Sequence, residues 1–337
     1  MKHHLRKNRA RKNRAVALAA TIGLAAATLA ACGSDKDSAS AQDSGTLRIT
    51  TLGLCNETSV YWAEKNGIFE DNGLKVELVK STGGAAALTA LQSGDIDLAF
   101  TNPFSTMIAR SQGIDVRWIA TAYETTSVKG EGTNAMAVTE DSGITKASDL
   151  NGKTIGVNEI GGINEIITTE WLTINGADAS SVKFVALPFN ELASSVANGK
   201  IDSAQIPAQN VDPKLGLTSL EDPYVAVGNG KGLVFAGYVA TSKNATSKEK
   251  SLKAFQDSLI TAVDEYTAPE NADAKYALQS EKCKQDAAYL KSLKENIYEA
   301  RVDTEAIARM GKILEEQERL DGPAEIDDLV PSYIVTK

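Results

Sequence analysis

The chain has 337 residues, with 35 Lys or Arg against 44 Asp or Glu, a formal charge of −9 and 42% hydrophobic residues. Its length and apolar content suit two domains of ordinary size, and its acidity argues against nucleic acid as a partner. Both histidines, His3 and His4, fall in the first 31 residues, so the rest of the chain lacks Ser-His-Asp and Cys-His nucleophile pairs and His-ligated metal sites. Neither catalysis nor a cofactor is expected.

Residues 1–31 read as an address rather than as fold. Lys2, Arg6, Lys7, Arg9, Arg11, Lys12 and Arg14 precede an apolar run from Ala15 to Ala31 that is too short and Ala-rich for a membrane span. The run ends in Leu29-Ala30-Ala31-Cys32, which resembles the bacterial lipobox and implies a lipid on Cys32 with cleavage just before it. Residues 32–45 then form a polar tether. Without the leader's seven positive charges the remainder carries −16. Cys55 and Cys283 are the remaining cysteines; an exported chain can bridge them, and two buried free thiols are an equal reading.

Leu47–Thr51 reads as a first strand, followed by a loop to Thr58, a helix Ser59–Asn66 stopped by Gly67, and a strand over Gly73–Val79. Thr82 to Pro103 organises the chain. Thr82 reads as an N-cap, Gly83 and Gly84 permit close backbone approach, and Ala87, Leu88, Ala90 and Leu91 form a helical stripe. Ser93-Gly94 ends that helix, and Ile96, Leu98 and Phe100 lead into a strand closing on Thr101-Asn102-Pro103. Pro188 to Pro207 repeats the pattern 105 positions later, with Gly199, Ile201, Asp202 and Ala204 matching Gly94, Ile96, Asp97 and Ala99. Two copies are too few for a solenoid and predict two facing α/β lobes.

Ala135–Thr139 reads as a strand, and the polar stretch Glu140–Lys146 as the passage into the second lobe. That lobe takes strands at Thr154–Val157 and Lys183–Leu187, with a helix over Asn164–Ile174. The chain returns through Leu233–Thr241, and beyond Thr246 the pattern is helical to about Leu320, with breaks near Pro269 and Val302. Tyr266, Tyr276, Leu290, Leu293, Ile297, Ile307 and Met310 are among the apolar positions expected to face the first lobe.

Four blocks carry a family likeness. Tyr61–Val79, Leu91–Phe100, Ser148–Val157 and Asp321–Ile334 resemble, in order, the solute-binding proteins of ABC importers of the nitrate, sulfonate, taurine and thiamine-pyrimidine type. The resemblance implies a two-lobed periplasmic-binding-protein fold of type II, with a ligand cleft between lobes joined by two crossings. Lobe 1 is expected over 46–138 and 235–337, and lobe 2 over 139–234. It implies a lipid-anchored, monomeric protein on the extracytoplasmic face of the membrane, delivering a small solute to a permease and its ATPase. A sensor or partner-binding lipoprotein of the same fold is the alternative.

Three helix starts are expected at the cleft: Thr82-Gly83-Gly84, Gly161-Gly162-Ile163-Asn164 and Phe189-Asn190-Glu191. Their free N–H groups and dipoles are donors aimed at a ligand. Strand ends add Thr51, Asn56, Thr101, Asn102, Tyr123 and Gln205, and Phe104 and Phe189 are candidates to cover apolar surface. The loops hold no arginine, Lys129 alone among lysines, and the acids Glu57, Glu159, Glu165 and Glu191. A glutamate facing the cleft favours a neutral or donor-rich solute, with a small oxyanion as the alternative. Glu191 is expected to report which.

Overall fold

The computed structural model describes residues 43–337. The leader, Cys32 and most of the tether lie outside the described residues. Leu47 and Ile49 point inward from β1 (Thr46–Thr51), which pairs in parallel with β2 (Lys75–Lys80). Between them run α1 (Thr58–Lys65) and α2 (Ile68–Asp71), separated by Gly67 at φ 73°, a left-handed turn that favours glycine. Next, α3 (Gly84–Ser93) stops at Gly94 and feeds β3 (Ala99–Thr101), which is tied to β1 by an Ile49–Leu98 bridge. The Asn102 side chain caps α4 (Pro103–Ser111), accepting the Ser105 N–H at 3.0 Å, with Pro103 at the first helical position. Then β4 (Val116–Glu124) runs almost fully buried.

The chain crosses at residues 125–133 and enters β5 (Asn134–Thr139). Strands β6 (Thr154–Val157), β7 (Lys183–Ala186), β8 (Ser203–Pro207) and β9 (Leu217–Ser219) complete a sheet ordered β7-β6-β8-β5-β9. Helices α5 (Ile163–Ile174) and α6 (Phe189–Ala197) link its parallel strands, and α7 (Pro223–Gly228) leads to the return crossing. Thereafter β10 (Val234–Thr241) inserts antiparallel between β3 and β4. The tail forms α8 (Ser242–Ser247), α9 (Glu249–Tyr266), α10 (Ala272–Cys283), α11 (Ala287–Ser292), β11 (Ile297–Tyr298) at the edge of β4, and α12 (Thr304–Glu316).

The expected echo corresponds to a repeated topology. Counting the Ile49–Leu98 bridge and setting aside the two-residue edge strand β11, the first lobe reads β2-β1-β3-β10-β4, and the second reads β7-β6-β8-β5-β9. In both, the first three strands are parallel and the last two pairings antiparallel. Ala99 and Ala204 therefore sit on equivalent strands.

Two expectations need correction. The first lobe does not run to residue 138, because β5 pairs with β8 and β9 and belongs wholly to the second sheet. The crossing is the polar segment before Asn134, and Glu140–Lys146 is a loop inside the second lobe. Ile297 does not join an apolar face; it lies on the edge strand β11 and is 46% exposed. A further feature was not anticipated from the sequence. Ile163, Ile166 and Ile167 of α5 and Tyr224 of α7 pack into the core of the first lobe, so the halves share apolar surface.

Candidate functional site

The loop after β1 is shaped by a buried carboxylate. Glu57 has no exposed surface and accepts N–H groups from Leu52 at 3.0 Å and Leu54 at 2.9 Å. Burial pushes its carboxyl up to about 7, against the lowering effect of hydrogen bonds from Thr51, Leu54, Leu52 and Gly53. Thr51 is spent in the same framework: its hydroxyl bonds the Tyr61 hydroxyl at 2.5 Å and accepts the Gly53 N–H at 3.1 Å. A disulfide between Cys55 and Cys283 fastens the loop to the end of α10, settling the pairing that the sequence left open. Leu54 and Asn56 are left facing the space between the lobes.

That space comprises two adjoining cavities, of about 50 Å³ and about 270 Å³. Leu54, Tyr123, Asn164, Phe189 and Phe235 line both. The smaller reaches Gly84, Thr101, Asn102, Asn158 and Glu159; the larger reaches Asn56, Asn134, Asn190, Gln209 and Asn210. Among the lining residues there is no lysine or arginine, and Glu159 is the one charged side chain.

The walls are ordered. Phe235 lies between Tyr123, at 5.1 Å and 24° between rings, and Tyr224, at 4.8 Å and 30°. The Tyr224 hydroxyl donates to Asn164 Oδ1, whose Nδ2 donates to Asn158 Oδ1 at 2.7 Å. Gly84 is required where it stands, since a Cβ there would lie 2.7 Å from Thr101 Oγ1. The Thr101 hydroxyl is buried without a protein partner.

Asn56, Gly84, Thr101, Asn102, Tyr123, Asn164, Phe189 and Asn190 thus surround the two cavities. The remaining candidates lie elsewhere. Thr82 is exposed and does not cap α3; the cap is Gly83, in extended backbone. Gly83 and Gly162 sit against the Glu159 side chain, and Gly161 lines a separate outer cavity. Phe104 is fully buried in the first-lobe core, because α4 turns that face inward. Gln205 is buried beneath Asn134, to which it donates at 3.3 Å. Glu191 is exposed on α6 and lines neither cavity, so it cannot report the solute's charge as expected. Lys129 lines neither cavity but a groove of the second lobe that also reaches Asn134.

Of the four loop glutamates only Glu159 faces the cleft. Glu57 holds its own loop, and Glu165 pairs with Arg319 at 2.7 Å while accepting the Gly161 N–H at 2.8 Å. Phe235, Asn158 and Asn134 went unremarked in the sequence. Asn158 follows β6 as the 52–57 loop follows β1, and that correspondence was the available signal.

The model of the family described as NMT1/THI5 like matches residues 55–272. A formylaminopyrimidine-binding protein of Halalkalibacterium halodurans is 29% identical over 146 residues, which span 43% of this chain and 42% of that protein. The aliphatic sulphonate binding protein SsuA of Escherichia coli has a similar structure, with a TM-score of 0.69 at 17% identity over 87% of this chain and 94% of that one. The nitrate-binding protein NrtA of Synechocystis PCC 6803 superposes with a TM-score of 0.65 at 12% identity, covering 86% of each chain. The fold is that of the two-lobed periplasmic binding proteins.

Proposed function

Because this chain belongs to the NMT1/THI5-like family, we propose that it captures a small, uncharged, planar organic solute bearing N–H donors and hands it to an ABC importer. The observation that carries this reading is the lining of the cleft. Stacked aromatic rings and carboxamides surround it, Glu159 is its one charged lining group, and no lining cation offsets an anionic ligand. Flat rings bury well against Tyr123, Phe189 and Phe235, and carboxamides both donate and accept around a ring's edge. The pyrimidine named for the Halalkalibacterium relative has this chemistry and is the first probe to try. The repeated lobes and two crossings support capture by hinge closure.

Leu29-Ala30-Ala31-Cys32 supports anchoring through lipid on Cys32 at the extracytoplasmic face of the membrane. Cys32→Ser is then expected to leave unprocessed precursor or to release the protein, and a processed, fully anchored variant would contradict it. Thermal-shift measurements with neutral N-heterocycles beside sulfate, nitrate and alkanesulfonates test the binding reading. A ligand at a hundred times its Kd stabilises by about 2.7 kcal/mol, a shift of several degrees. Stabilisation by heterocycles and not by oxyanions is expected; the opposite ranking would make this a small-oxyanion binder.

A further inference from the structure

Hydrogen-bond donors converge where the smaller cavity meets the start of α3. The first amides of that ten-residue helix have no intrahelical partner, and its N-cap, Gly83, has no side chain to satisfy them. Thr101 is 3% exposed, and its hydroxyl lacks a partner and lies 2.7 Å from where a Cβ on Gly84 would sit. Asn102 Nδ2 lies 3.5 Å from the same point. Such a cluster, at the positive end of a helix, attracts a negative group.

A negative group already reaches it from the other lobe. Glu159, on the loop between β6 and α5, brings both carboxylate oxygens to 3.5 Å from a Cβ position on Gly83, and the Ala85 N–H bonds to it. Burial pushes its carboxyl up, and among the described residues no lysine or arginine pairs with it. The nearby guanidinium of Arg319 lines the outer cavity behind Glu159 but is engaged by Glu165 at 2.7 Å. The carboxylate therefore lines both the inner and the outer cavity, at the seam between the lobes.

We propose that Glu159 sets the charge selectivity of the cleft: from across the seam it takes the Ala85 amide of the donor cluster at α3, places its negative charge beside the remaining donors and so bars small oxyanions. The proposal rests on the reading of the cleft as the solute site. An oxyanion entering the smaller cavity must displace a like charge from the donors that it needs. An uncharged solute leaves Glu159 in place and can donate to it.

Calorimetric titration with sulfate and with methanesulfonate tests this on the parent, Glu159→Gln and Glu159→Ala. Glutamine keeps the shape of glutamate, and amide exchange across the chain shows whether each variant is folded. Both variants are expected to bind each anion at least about ten-fold more tightly than the parent, the scale of one charge-assisted hydrogen bond. Exchange of the Ala85 amide is expected to quicken in Glu159→Ala. Folded variants no better than the parent at binding either anion would overturn the proposal, as would a parent that binds them equally well. The neutral-solute reading fails separately, if no uncharged heterocycle stabilises the parent.

Discussion

Glu57 shows how little a glutamate's place in the sequence says about its task. It stands in a loop at a strand's end, as Glu159 does, yet one is folded beneath its loop and the other faces the cleft. Charge was legible at both positions and direction was not, because direction depends on which backbone amides are near. The same holds for Phe104 and Phe189, two aromatics one residue beyond a proline, of which only the second reaches the cavities. The raised carboxyl of Glu57 gives a pH dependence of defined sign. Between the ordinary carboxylate range and about 7 the folded state keeps a proton that the unfolded state has lost. Stability from this group is therefore full below that window and falls as pH rises through it, by about 3 kcal/mol at most. Urea unfolding at pH 5 and pH 8 measures the loss, and Glu57→Gln is expected to flatten it. An unchanged pH slope in that variant would assign the effect to other groups.

At the scale of elements, the helix–turn–strand unit was legible twice over, since α3 with β3 and α6 with β8 each carry a short apolar stripe, a glycine and an inward strand. The assignment of β5 to a sheet was not legible. A strand buried on both faces reads as an apolar run in either lobe, and only pairing to β8 and β9 decides the matter. The disulfide was likewise open in the sequence, its halves being 228 positions apart. It joins the loop carrying Asn56 to α10, and both cysteines line the larger cavity. Replacing Cys55 and Cys283 by serine is expected to cost about 2–4 kcal/mol of stability, read as a lower melting temperature. Solute affinity should fall as well, because Asn56 loses its anchor. Calorimetry giving unaltered affinity would show that Glu57 alone positions the loop.

For the molecule as a whole, the two lobes are held close by direct bonds on several sides of the cleft. Arg319 pairs with Glu165 at 2.7 Å, Gln317 donates to the Ile166 carbonyl at 3.1 Å, and the Tyr289 hydroxyl donates to the Gln209 carbonyl at 2.7 Å. On the proposed reading, opening about the crossings at 125–133 and 229–233 would break these bonds, which would couple solute capture to closure. Phe189 carries that coupling most plainly, being half-buried at the start of α6 and lining both cavities. On the proposed reading an uncharged ring is held between the lobes against these aromatics. Calorimetric titration of the parent and Phe189→Ala with the heterocycle that most raises the melting temperature tests it most directly. Losing a buried phenyl contact of about 1.5–3 kcal/mol predicts a ten- to hundred-fold weaker Kd in the variant, with one site per chain. Equal affinity in the two proteins would place the solute outside this cleft.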